Sequence, residues 1–111
     1  PAEDFDPMLC FKEWILKLFP NEPPQRKNDL YYALARFNEN RLDMKKPIRT
    51  KATVTSLFHR LQRITDNAGD PLALMIEVLD TATLNRWQSV YPPKDASSGG
   101  QPKGGRVYEC L

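Results

Sequence analysis

The chain has 111 residues, of which 41% are apolar and 27% charged, and its formal net charge is +2. That length accommodates one core and not two, and the apolar share suffices to hold it without a metal or disulfide staple. No apolar run approaches the roughly 20 residues of a membrane-spanning helix, and the N-terminus is acidic where a secretion signal would be basic, so a cytoplasmic protein is expected.

Asp6-Pro7 opens the first predicted helix, over residues 6–19. Asp caps the exposed backbone N–H groups, and Pro at the first helical position gives up no hydrogen bond. Leu9 or Phe11, Trp14, Ile15, Leu18 and Phe19 then form an apolar stripe at helical spacing, and Lys12, Glu13 and Lys17 are left to solvent. Asn21 to Gln25, with Pro23-Pro24, is expected to be a stiff linker. A second helix is predicted over residues 27–40, where Leu30, Tyr31, Leu34 and Phe37 repeat at three and four residues, followed by a loop over 42–48. Thr50 caps a third helix over residues 50–67, with Val54, Leu57, Phe58, Leu61 and Ile64 on one face and Gly69 as its stop. The fourth helix begins at Asp70-Pro71, turns Leu72, Met75, Val78, Leu79 and Ala82 inward, and is predicted over residues 70–88, before Pro92-Pro93 forbids continuation.

The expected fold is therefore all-α: a small bundle of about four helices spanning residues 1–93, with a disordered, flexible tail over 94–111. The tail is rich in Ser, Gly, Pro and Lys and buries too little to offset its ordering entropy; Val107-Tyr108 is its one apolar patch. Trp14, Leu18, Leu34, Phe37, Val54, Leu57, Phe58, Leu61, Met75, Val78 and Leu79 are the expected core. There is no internal repeat in the sequence and no alternating run long enough for a strand. A start at Pro1 and an end at Tyr108-Glu109-Cys110-Leu111 are what a piece of a longer protein would show. The two cysteines, Cys10 and Cys110, form no CxxC pair, so zinc is not expected. Their number permits one bridge, but an apolar helical site for Cys10 in a reducing compartment is the commoner arrangement.

Enzyme signatures are missing: no phosphate-cradling glycine loop, no GxSxG elbow, no HExxH. A non-enzymatic domain with no cofactor and no small-molecule substrate is expected. Glu77 and Asp80 share a helix face but have no second carboxylate pair or histidine near them in sequence, so a hydrated outer face accounts for them.

Charge placement is the sharper signal. Residues 44–65 hold six Lys and Arg and no Asp or Glu, whereas residues 1–24 and 66–91 each carry a net charge of −3. At helical pitch Lys51, Thr55, His59 and Arg63 stack along one stripe of the third helix, with Ser56 and Arg60 beside them and the apolar set opposite. Lys45, Lys46 and Arg49 extend the patch into the preceding loop. Lys and Arg neutralise phosphates and release counterions, Thr can bond phosphate oxygens, and Arg can read a guanine edge. Three occupants of this face stay open: DNA, bulk water around an ordinary polar helix face, and an acidic protein. His59, the one histidine, lies on the polar side either as a solvent-facing ring or as a phosphate or base contact. Trp14 is assigned to the core; Trp87, at a helix end, is expected half-buried, and with Tyr91 it offers a surface for a protein partner.

From Pro47 to Pro92 the order of features resembles the C-terminal domain of replication-initiation, or replisome-organiser, proteins of bacteriophages and mobile elements. Pro47-Ile48-Arg49-Thr50 opens a helix closed by a Leu, polar, polar, Ile turn. Gly69-Asp70-Pro71 and a helix rich in Ile, Glu and Leu follow. Asn85-Arg86-Trp87-Gln88-Ser89-Val90-Tyr91-Pro92 then stands where that family ends in Asn-Gly-Trp-x-Gly-apolar-aromatic-Pro. Arg86 and Ser89 replace its two glycines, which implies that any special backbone turn there is altered. The resemblance implies a domain appended to a larger replication protein, contacting DNA or a helicase-loading partner, with no catalytic residues. Asp6 to Arg41 matches none of its motifs.

Overall fold

A computed structural model describes residues 5–94 of the chain. It contains α1 (Pro7–Leu18), α2 (Pro24–Asp43), α3 (Lys51–Thr65) and α4 (Pro71–Leu84), and no strand among the described residues. The all-α, four-helix expectation holds. The expected tail, including Val107-Tyr108 and Cys110, lies outside the described residues apart from Lys94.

Three helix starts follow the capping rules. The carboxylate of Asp6 accepts from the Met8 N–H, that of Asp70 from the Ala73 N–H, and the Thr50 hydroxyl oxygen from the Thr53 N–H. α2 departs from its predicted bounds at both ends. It begins at Pro24 with no side-chain cap, because a proline at the first position sacrifices only an N–H that has no partner within the helix. The adjacent prolines thus close the linker and start the helix.

α2 continues to Asp43, and α4 stops at Leu84 instead of running to residue 88; both then end in the same way. Lys45 (φ 64°) and Arg86 (φ 58°) occupy the left-handed region just past the two helices. After α2 the Lys46 N–H reaches the Arg41 carbonyl at 2.9 Å and the Lys45 N–H that of Leu42 at 3.0 Å; after α4 the Trp87 N–H reaches Ala82 at 2.9 Å and the Arg86 N–H reaches Thr83 at 3.2 Å. This paired return of N–H groups is the Schellman stop, normally built on glycine. The glycine-type turn expected to be altered by Arg86 is therefore retained with an arginine in it. Ser89 adopts no such conformation.

The helices form two hairpins, α1–α2 and α3–α4, stacked in register. Arg26 meets Asp70 at 2.6 Å and Arg36 meets Asp80 at 3.0 Å, both 44 residues apart, while Arg86 meets Asp43 at 3.1 Å. α2 and α4 consequently run parallel along their length. Trp14 stacks on Phe58 with centroids 5.1 Å apart, at the same sequence offset, so α1 lies parallel to α3. One layer is α1 and α3, the other α2 and α4. The register that no sequence repeat announced is set by these cross-hairpin pairs.

Between the layers Phe11, Leu30, Leu34, Phe37, Phe58 and Leu61 are completely buried. All the expected core residues are buried except Trp14 and Leu18, which are half-buried. Trp14 sits on the seam between α1 and α3 and Leu18 is the last residue of α1, so neither is enclosed on all sides. Cys10 is buried on α1, as an apolar site would have it. Ile48 and Val90 join the core from outside the helices, and Val90 folds the segment after α4 back onto the bundle.

Candidate nucleic-acid interface

The hairpin stack gathers the connection after α2, the start of α3 and the segment after α4 at one end of the molecule. Arg41 fastens them. Its Nε donates to the Lys46 carbonyl at 2.5 Å and its Nη1 to the Gln88 carbonyl at 2.6 Å, linking the two Schellman turns. Burial lowers the pKa of this guanidinium, which spends its donors on backbone carbonyls and not on a carboxylate. Lys45, Lys46 and Arg49 are exposed on the turn and strand of chain that Arg41 holds.

The five sequence-predicted residues on α3 separate into three groups. Lys51 is exposed and Thr55 half-buried where α3 meets α1, and both line a cleft of about 230 Å³ with Cys10, Glu13, Trp14 and Lys17. Burial, followed by the nearby Glu13 carboxylate, raises the pKa of the Cys10 thiol in this cleft, against the opposing influence of Lys51. His59 and Arg63 are exposed on the open face, with the His59 ring edge-on to Trp14 at 5.8 Å. Arg60 turns to the other flank, where its guanidinium lies 5.6 Å from the centre of the Tyr91 ring. The stripe is thus not a bare helix face, for α1 borders one side of it and Tyr91 the other.

In the sequence Lys17 falls within the acidic N-terminal segment. The structure puts its ammonium 4.9 Å from the centre of the Trp14 ring, on the rim of the cleft shared with Lys51. No local signal could have found it, because the α1–α3 contact joins residues some 44 positions apart.

Ion pairing divides the cations. Arg26 pairs with Glu22 and Asp70, Arg36 with Asp80, and Arg86 with Asp43. Among the described residues no carboxylate pairs with Lys45, Lys46, Arg49, Lys51 or Arg63. Asp80 is thereby committed to Arg36, and Glu77 stays in solvent. No group of three His, Cys, Asp or Glu side chains among the described residues could hold a metal ion. No helix among them is long and apolar enough to cross a membrane.

Trp87 and Tyr91 meet edge to face with centroids 5.2 Å apart; Trp87 retains 37% exposure and Tyr91 is half-buried. The family model described as the YdaU C-terminal domain matches residues 29–105. The chain belongs to that family. The matched stretch takes in most of α2, the whole of α3 and α4, and every sequence-predicted site residue, whereas α1 precedes it. No curated protein and no solved structure matches the chain.

Proposed function

We propose that this member of the YdaU C-terminal domain family is a non-enzymatic, nucleic-acid-binding helical module of a phage or mobile-element protein, acting as an accessory in replication. The observation that carries the reading is the charge of Lys45, Lys46, Arg49, Lys51 and Arg63, all exposed, all from an acid-free stretch, and none paired with a carboxylate among the described residues. Fixed cations without carboxylate partners are free to neutralise phosphates and release counterions, which supplies most of the affinity of sequence-independent binding. The role in replication rests on the resemblance over residues 47–92, which falls inside the matched stretch.

The test is titration of the parent and of Arg49→Ala and Arg63→Ala against a labelled duplex and a labelled single strand at two salt concentrations. Each substitution should weaken binding and flatten the salt dependence by about one phosphate contact, a slope change of roughly 0.9 on duplex. Lys12→Ala should cause only a small general loss.

A second reading is a protein-interaction module that engages a replication partner such as a helicase loader through Trp87 and Tyr91. It is favoured by the large apolar groups exposed where α2 and α4 end: Leu42 at 47%, Leu84 at 83% and Trp87 at 37%. No binding of either nucleic acid by the parent at low salt would move the function to this surface.

A further inference from the structure

We propose that the cleft between α1 and α3 is a phosphate subsite that makes the module selective for single-stranded nucleic acid over duplex, an inference that rests on the nucleic-acid reading above. The cleft, about 230 Å³, is smaller than a typical small-molecule pocket and suits a phosphate better than a whole nucleotide. Lys17 and Lys51 stand exposed on its two banks, one on α1 and one on α3. Thr55, half-buried on α3 one turn after Lys51, lines the same cleft, and its hydroxyl would be a third donor for a phosphate oxygen. Lys17 is held over the cleft by the Trp14 ring at 4.9 Å, which limits the side-chain freedom lost on binding. The exposed His59 ring, edge-on to Trp14, gives an adjoining base an aromatic surface to rest on. Glu13 is the one acid in the cleft and opposes the phosphate, so the subsite has a net positive but attenuated charge.

Strandedness follows from how α3 is set. The major groove of duplex DNA, about 12 Å wide, admits one helix that projects from its domain. α3 does not project: α1 lies along one flank through Trp14 and Phe58, and Tyr91 lies against the other under Arg60. A helix of about 10–12 Å diameter with neighbours on both sides cannot enter that groove alone. A stiff duplex backbone laid across this face reaches the exposed Lys17 and Lys51 but leaves the half-buried Thr55 behind. A flexible single strand can turn one phosphate into the cleft and bond all three.

The experiment uses the full chain with a labelled single strand of oligothymidine and a duplex of equal length, each at two salt concentrations. A Trp87→Phe background leaves Trp14 as the sole tryptophan of the two, so its emission reports occupancy of the cleft. The single strand should bind more tightly than the duplex and change the Trp14 emission. Lys17→Ala should flatten the single-strand salt slope by about 0.7. Thr55→Val should weaken single-strand binding by roughly threefold with the slope and duplex affinity unchanged, because an uncharged donor releases no counterion. Glu13→Gln should strengthen single-strand binding. Urea midpoints of each variant check that the fold is kept. If Lys17→Ala and Thr55→Val match Lys12→Ala on both ligands while the parent still binds, the subsite is overturned and the nucleic-acid function stands. Equal or tighter duplex binding with losses on both ligands also overturns it, by placing α3 in a groove. A parent that binds neither ligand removes the subsite together with the function.

Discussion

The two layers of this molecule use positive charge in opposite ways. In the α2/α4 layer Arg26, Arg36 and Arg86 bind carboxylates of the neighbouring helix or turn and fix the register of the two hairpins. On α3 and the connection before it, Lys45, Lys46, Arg49, Lys51 and Arg63 face solvent, and no carboxylate among the described residues pairs with them. The same residue types are structural in one layer and available to a ligand in the other. What distinguishes them is the position of acids: Asp70 caps α4 and Asp80 lies on it, both meeting α2, while residues 44–65 contain none.

The largest effect should come from breaking the joint between the layers. Leu61 is completely buried on α3, and Leu61→Ala should cost on the order of 2–5 kcal/mol in a urea titration. An unchanged midpoint would mean that α3 does not present its apolar face to α4, and the division into layers would fall with it.

A smaller effect is expected at the turn after α4. Arg86 sits at φ 58°, where a side chain costs about 1 kcal/mol or more, but it also bonds Asn40 and Asp43 of α2. Arg86→Ala keeps the strain and loses the contacts, whereas Arg86→Gly loses both. Gly at this position should therefore be more stable than Ala by about 1 kcal/mol. Equal stability of the two variants would show that the left-handed turn is not maintained in solution.

The ion pairs between the two hairpins should be weak individually. Arg36 and Asp80 are each about half exposed, so a double-mutant cycle should give no more than about 1 kcal/mol even with both carboxylate oxygens engaged, and the coupling should fade in high salt. The pair at the other end should show in the pH dependence. The Arg26 guanidinium and the Ala73 N–H hold the Asp70 carboxyl below its ordinary pKa. A depressed folded-state pKa stabilises above the unfolded-state value, near 4, and that stabilisation is lost as pH falls through the folded value. The difference in urea midpoint between the parent and Asp70→Asn should thus be present at pH 7 and shrink below pH 4. A difference that grows on acidification would contradict the pairing.

Much of the fold was legible because it is local. The Asp-Pro pairs and Thr50 announce three helix starts through side chains that cap their own next turn, and the apolar spacing of α3 gives its buried face. The ends of α2 and α4 were not legible, since the signal for a Schellman stop is glycine and here Lys45 and Arg86 occupy that position. The start of α2 was missed because two prolines resemble a linker until one is seen at the first helical position. The site divides in the same way. The acid-free stretch is written in the sequence, but the entry of Lys17 into the cleft, the seating of Arg60 on Tyr91 and the hold of Arg41 on two carbonyls all depend on contacts between distant segments.

The contrast between the layers is tested most directly by removing two charges from each and measuring the salt dependence of single-strand affinity. Lys51→Gln with Arg63→Gln takes two unpaired cations from α3; Arg26→Gln with Arg36→Gln takes two paired ones from α2. The first double variant should lower the log–log salt slope by up to about 1.4, two single-strand phosphate contacts, while the second should leave it within error of the parent. Equal changes in the two would reduce the α3 face to bulk charge and erase the difference between the layers.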